Sequence, residues 1–257
     1  MSSVQITLGE VAATLALVGL AAAVSLWRRA DLERDLGVAV VRSFLQLTAV
    51  GYVIQAIFDS DSLWLVALLL SGMVAFGTVT ARSRARAVPG ALVAIVLALA
   101  AAAAVTLGLV LVLGVFDATP RYLVPVGGMV IGNSMTATAV ALNRLADEVH
   151  GRAGLIEASL ALGATARQAS AGLVTSSLRS GMIPLIDSTK TTGVVFFPGT
   201  MVGMLVAGAE PLDAVRLQLI LLWALLGAVA LAALIAVSLG YRGFFTPAHQ
   251  LREPPEP

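Results

Sequence analysis

The sequence predicts an all-α polytopic integral membrane protein with about seven transmembrane helices and a further helical segment on one side. Three observations predict it. Hydrophobic residues make up 58% of the 257 and the mean hydropathy is +0.94. Charged residues make up 12%, about half the share of roughly 25% found in soluble domains. The apolar residues fall in runs of about 20, the length that crosses a bilayer as a helix. Too little polar residue exists to cover a soluble globule, which excludes a soluble enzyme and a disordered regulator. A net charge of +1 leaves no basic field for nucleic acid, so the expected surrounding is the lipid bilayer. The absence of cysteine excludes disulfides, thiolate catalysis and cysteine-ligated zinc.

In chain order the runs are 6–27, 37–58, 62–81, 88–116, 121–142, 188–209 and 215–240. The first lacks a basic n-region and a small-residue cleavage site, and reads as a retained helix. The sixth begins beside Asp187 and Lys190. Arginines set the orientation. Arg28, Arg29, Arg34, Arg82, Arg84, Arg86, Arg144, Arg152, Arg167, Arg179, Arg242 and Arg252 fall on one side, and only Arg121 and Arg216 on the other. That bias puts the N-terminus outside and the C-terminus in the cytoplasm. The largest piece between spans, about 143–186, is cytoplasmic on this reading: too polar to span, with Leu155, Ile156, Ala158, Leu160 and Leu162 at helical spacing. A helix lying on the membrane or on a partner protein is expected there. One membrane domain covers 1–246, and 247–257, ending Glu-Pro-Pro-Glu-Pro, is an expected disordered tail.

Four blocks carry candidate chemistry. The first lies within the cytoplasmic piece. Glu157-Ala starts a helix, Gly163 interrupts it six residues on, and Thr165 can cap the next helix. A helix–glycine–helix of this kind suits docking into a groove of a partner; a surface helix with a turn is the plainer account. It resembles the coupling loop of ABC-transporter permeases, which inserts into the cytoplasmic ATPase, although Pro184 falls about two helical turns beyond the importers' proline. On that resemblance Glu157, Leu162, Gly163, Ala164, Thr165, Arg167 and Gln168 are the coupling residues.

The second block, in the fifth run, pairs Gly128 with Gly132 as a close-packing face and places Asn133 in hydrocarbon between Met129 and Met135. The third runs from Asp187 and Lys190 through Gly193 to Pro198, Gly199, Met201 and Gly203. Asp187 and Lys190 share a helix face. Pro198-Gly199 should break the sixth span, freeing backbone groups that must line protein or water, and Gly193 and Gly203 are further packing glycines. The fourth is Arg42 with Gln46, one turn apart in the second run, as snorkelling residues or as contacts for a substrate. Helix packing with one interhelical hydrogen bond is the plainer account of the second block, a kinked packing helix with a charged end that of the third, and snorkelling that of the fourth. Together Arg42, Gln46, Met129, Asn133, Met135, Asp187, Lys190, Pro198, Gly199 and Met201 are the candidate translocation path.

Taken in order, the four blocks resemble one family over nearly the whole chain: the ABC permeases of bacterial iron export (Fet-type) and the plant aluminium-tolerance, aluminium-sensitive permease-like proteins. Phe196-Phe197 before Pro198 is a departure, since relatives often carry smaller residues there. The resemblance implies a permease subunit that exports iron, without catalytic residues or a bound cofactor of its own. Its partners would be a second copy and two cytoplasmic ATPase subunits holding ATP and Mg, in a bacterial inner membrane; relatives linked to a nucleotide sugar leave the cargo open. The chain has no G-x-x-x-x-G-K-[ST] phosphate loop, in keeping with a separate ATPase. A gradient-driven secondary transporter is the rival, and needs an intramembrane carboxylate. A lipid-modifying membrane enzyme needs clustered acids or histidines at an interface, which the loop of Asp31, Glu33 and Asp35 does not supply.

Overall fold

A computed structural model of the chain describes residues 8–252. Among them are nine α-helices: α1 (Leu8–Arg28), α2 (Glu33–Ser60), α3 (Leu63–Arg84), α4 (Ala91–Val112), α5 (Pro120–Gly151), α6 (Ala153–Ala161), α7 (Ala166–Thr191), α8 (Gly199–Val206) and α9 (Pro211–Gly240). A 3₁₀ turn over Tyr241–Phe244 follows. Six of these helices, α1 to α5 and α9, are long and apolar enough to cross a membrane. Residues 6 and 7 of the first expected span lie outside the described residues.

The helices form two units, α1 with α2 and α3 through α9. In the first, Ser25 organises the connection: its hydroxyl accepts from the Leu32 amide at 3.0 Å and its carbonyl from the Ala30 amide at 3.0 Å.

In the second unit α5 is central and packs against α3, α4, α7 and α9. Its buried side is Val130, Leu142, Leu145 and Val149, in one core cluster with Ile95 and Leu99 of α4 and Val237 of α9. Small residues repeat every three or four along the buried faces of α4 (Ala91, Ala94, Ala98, Ala102) and α9 (Ala228, Ala232, Ala236). In lipid, association comes mainly from close van der Waals packing, and small residues let backbones approach.

Two sequence expectations change here. The piece 143–186 is not a surface segment. α5 continues to Gly151, and α7 turns back antiparallel along it: Ser176 meets Glu148, and Gly181 meets Ala137 and Ala141. Only about 152–165 forms the elbow between them. α7 looked too polar to enter the bundle because its buried side is small and self-satisfied. The Ser170 and Ser177 hydroxyls donate to the Ala166 and Leu173 carbonyls of their own helix, each at 2.7 Å.

The expected sixth span 188–209 is not one helix either. α7 ends at Thr191 and α8 has eight residues, roughly 12 Å of rise. In its place the chain runs as α7, a break at 192–198, and α8, and neither of these helices is among the six long and apolar enough to cross a membrane. The physical reason is the one given for Pro198-Gly199, aided by Gly193 with φ +85°.

Residues 247–252 of the expected tail close a tight turn. Thr246 donates its amide to the Gln250 carbonyl at 2.8 Å, and Arg252 to that of Phe244 at 2.8 Å. Phe244 and Phe245 are buried beneath it. Residues 253–257 lie outside the described residues.

Candidate functional site

The elbow is built by local rules. α6 ends at Leu162 in a Schellman motif: Gly163 donates to the Leu160 carbonyl at 2.9 Å and Ala164 to that of Ser159 at 3.0 Å. Gly163 has φ +91°, a conformation that side chains with a Cβ resist. Thr165 then opens α7 with a capping box. Its hydroxyl accepts from the Gln168 amide at 3.3 Å, and the Gln168 side-chain oxygen accepts from the Thr165 amide at 2.9 Å. His249 of the C-terminal turn takes one more first-turn donor, its Nδ1 accepting from the Ala166 amide at 3.4 Å.

Only Ile156 of α6 is buried. Glu157, Gly163, Arg167 and Gln168 are exposed, Ala164 is half-buried, and Leu155 and Leu162 stand out at 70% and 90% exposure. Leu162 stands directly before the Gly163 turn.

Gly240, the last residue of α9, is level with Leu142 and Leu145 of α5. The last two turns of α5 and the first turns of α7, with the C-terminal turn packed on them through Phe244 against His150 and His249 against Ala166, form a stalk carrying α6.

Farther along the stalk's helices, Asn133 and Thr136 are exposed on one face of α5, with Met129 half-buried on the same face. The Asn133 amide donates to the Met129 carbonyl at 2.9 Å, and the Thr136 hydroxyl to that of Gly132 at 3.2 Å. Met135 turns the other way, packed against α3 near Gly77. It therefore leaves the candidate path, because 133 and 135 lie on opposite sides of a helix. Extending the antiparallel register sets Asp187 and Lys190 roughly level with Asn133 and Met129. Those two charges pair at 3.4 Å and are both exposed. The break follows. Gly193 donates to the Phe196 carbonyl at 2.9 Å and Val195 to that of Thr191 at 3.0 Å. Pro198 caps α8, leaving the first amides of Gly199, Thr200 and Met201 outside its internal ladder. Arg42 and Gln46 are exposed on α2 of the other unit. Among the described residues no group of three or more His, Asp or Glu side chains converges.

Of the four glycines expected to pack helices, Gly128 meets a neighbour: a Cβ there would stand 3.1 Å from Met73 Cε. Gly132 and Gly203 open onto space, and Gly193 serves the turn. Close approaches occur instead at Gly127, Gly181, Gly240 and Gly243, which no local spacing announced. Sequence reasoning also missed Glu148, whose signal was an acid with arginines four residues to either side.

The sequence matches an uncharacterised protein family, UPF0014, over residues 8–245. It is similar to the UPF0014 membrane protein STAR2 of Oryza sativa subsp. japonica, 41% identical over 96% of this chain and 86% of that one. The protein ALUMINUM SENSITIVE 3 of Arabidopsis thaliana is 39% identical over 94% and 88%. The probable iron export permease protein FetB of Escherichia coli (strain K12) is 35% identical over 98% and 97%. No solved structure matches.

Proposed function

The chain belongs to the UPF0014 family of membrane proteins, and from that premise we propose that it is the transmembrane permease subunit of an ABC exporter, with iron as cargo. Two copies work with two separate cytoplasmic ATPase subunits in a bacterial inner membrane, the N-terminus outside and the arginine-rich loops inside.

The observation that carries this reading is the elbow: a rigid, capped turn at the tip of a stalk, with Leu155 and Leu162 exposed at 70% and 90%. Its two roots, α5 and α7, are the helices that carry Asn133, Asp187 and the break. Iron as cargo is supported by the relative named an iron export permease.

Closure of the ATPases on ATP pushes the elbow, with Glu157 and Arg167 as candidate ion-pair partners beside the leucines. The stalk transmits the displacement, and the packing of α5 against α7 and of α8 against α9 changes. A polar face on a membrane-crossing helix is costly against lipid. Asn133 and Thr136 therefore face water or another helix when the path is open. Ferrous iron passes as substrate, with Met129, Asn133 and the backbone carbonyls of the break as transient contacts.

Iron uptake into inside-out vesicles tests this. ATP should drive it, and a proton or sodium gradient alone should not. Uptake that follows the ion gradient and ignores ATP would identify a secondary transporter instead.

A further inference from the structure

The buried acid at the root of the elbow has no part in the account so far. Glu148 of α5 is 5% exposed. Arg144, one turn earlier, donates Nη2 to its Oε1 at 2.6 Å. Ser176 of α7 donates its hydroxyl to the same oxygen at 3.1 Å. Arg152 Nε stands 3.0 Å from Oε2, close in charge but off the hydrogen-bond direction. Arg152 is the one residue between α5 and α6, with non-helical φ −124° and ψ 20°. One carboxylate thus holds α5, the α5–α6 corner and α7 together.

Beside it in the chain Leu145, Ala146 and Val149 are buried, as is Leu173, three residues before Ser176 on α7. An apolar side chain would suit such a site at least as well for stability, because burying a charge is costly even when it is paired. What an apolar residue cannot do is fix the direction of three polar partners at once.

We propose that Glu148 is a positioning residue that locks the single-residue joint at Arg152, so that a push on α6 moves α5 and α7 as one body. Without the lock the joint absorbs the push. This inference rests on the ABC reading for its consequence in transport, but not for its geometry.

The test has two arms. The chain has no cysteine, so Gly154→Cys on α6 and Ala171→Cys on α7, both exposed, take spin labels without background. In the detergent-solubilised full chain, the label-to-label distance distribution should be narrow, and should broaden in Glu148→Leu. Ser176→Ala, which removes only the bond to α7, should broaden it less. In vesicles holding the permease–ATPase complex, Glu148→Leu should lower iron moved per ATP hydrolysed about tenfold, within the usual range of coupling between sites. ATPase co-purification should be unchanged.

An unchanged distribution in both variants would overturn the lock, as would a broadened one with an intact transport ratio. If Glu148→Leu does not fold, Ser176→Ala carries both arms. If no ATP-driven transport exists at all, the distance arm still decides whether Glu148 holds the joint, and the failure belongs to the transport reading.

Discussion

At the residue scale Gly163 sets the turn of the elbow. Its φ of +91° is open to glycine and costs a residue with a Cβ about 1–2 kcal/mol. No neighbour crowds it, since nothing lies within 4 Å of a Cβ built there. Gly163→Val should therefore fold and insert, with the turn distorted and transport lost while membrane abundance stays near wild type. Quantitative blotting alongside vesicle uptake checks both halves. The turn was legible in the sequence because it is local: Gly163 closes one helix, and Thr165 with Gln168, three apart, opens the next. Met135 was not legible as a packing residue, because α3 decides which side of α5 is buried. His249 was beyond reach for the same reason, since its contact with Ala166 spans 83 residues.

At the scale of elements, α7 shows what hydropathy misses. A helix that buries serine and glycine against a neighbour has low hydropathy and a well-packed seam. Gly181 is its closest approach to α5, where a Cβ would stand 2.8 Å from both the Ala137 carbonyl oxygen and Ala141 Cβ. Gly181→Ala should wedge the helices apart and destabilise the detergent-solubilised chain by about 1–3 kcal/mol, the range for overpacking. Gly132→Ala should do the reverse. It meets nothing within 4 Å, so gaining helix propensity should raise stability by about 0.5–1 kcal/mol. Thermal unfolding of the two variants side by side gives opposite signs if the packing is as described. The same contrast separates the two uses of glycine that spacing alone merged in the sequence.

At the scale of the whole molecule, six of the seven expected spans are single helices long and apolar enough to cross a membrane, and the stretch expected as the other is broken. The break was foreseen at Pro198-Gly199; its extent, 192–198, depends on Gly193 and on how α7 is held. The proposed orientation, taken from the arginine bias, has the elbow in the cytoplasm. In the cysteine-free background, Leu162→Cys should react with an impermeant thiol reagent only from the cytoplasmic side. Ala118→Cys, in the loop before α5, should react only from outside. Labelling of right-side-out and inside-out vesicles reads this directly.

The central claim is that the elbow docks an ATPase, and purification of the complex from native membranes tests it most directly. With the wild-type chain, mass spectrometry should find a stoichiometric subunit bearing a phosphate-binding loop. With Leu162→Asp that subunit should be lost while the permease keeps its melting temperature, because the leucine is 90% exposed and supports nothing within its own chain. A wild-type chain that comes out alone, or an ATPase retained undiminished by Leu162→Asp, would contradict the account.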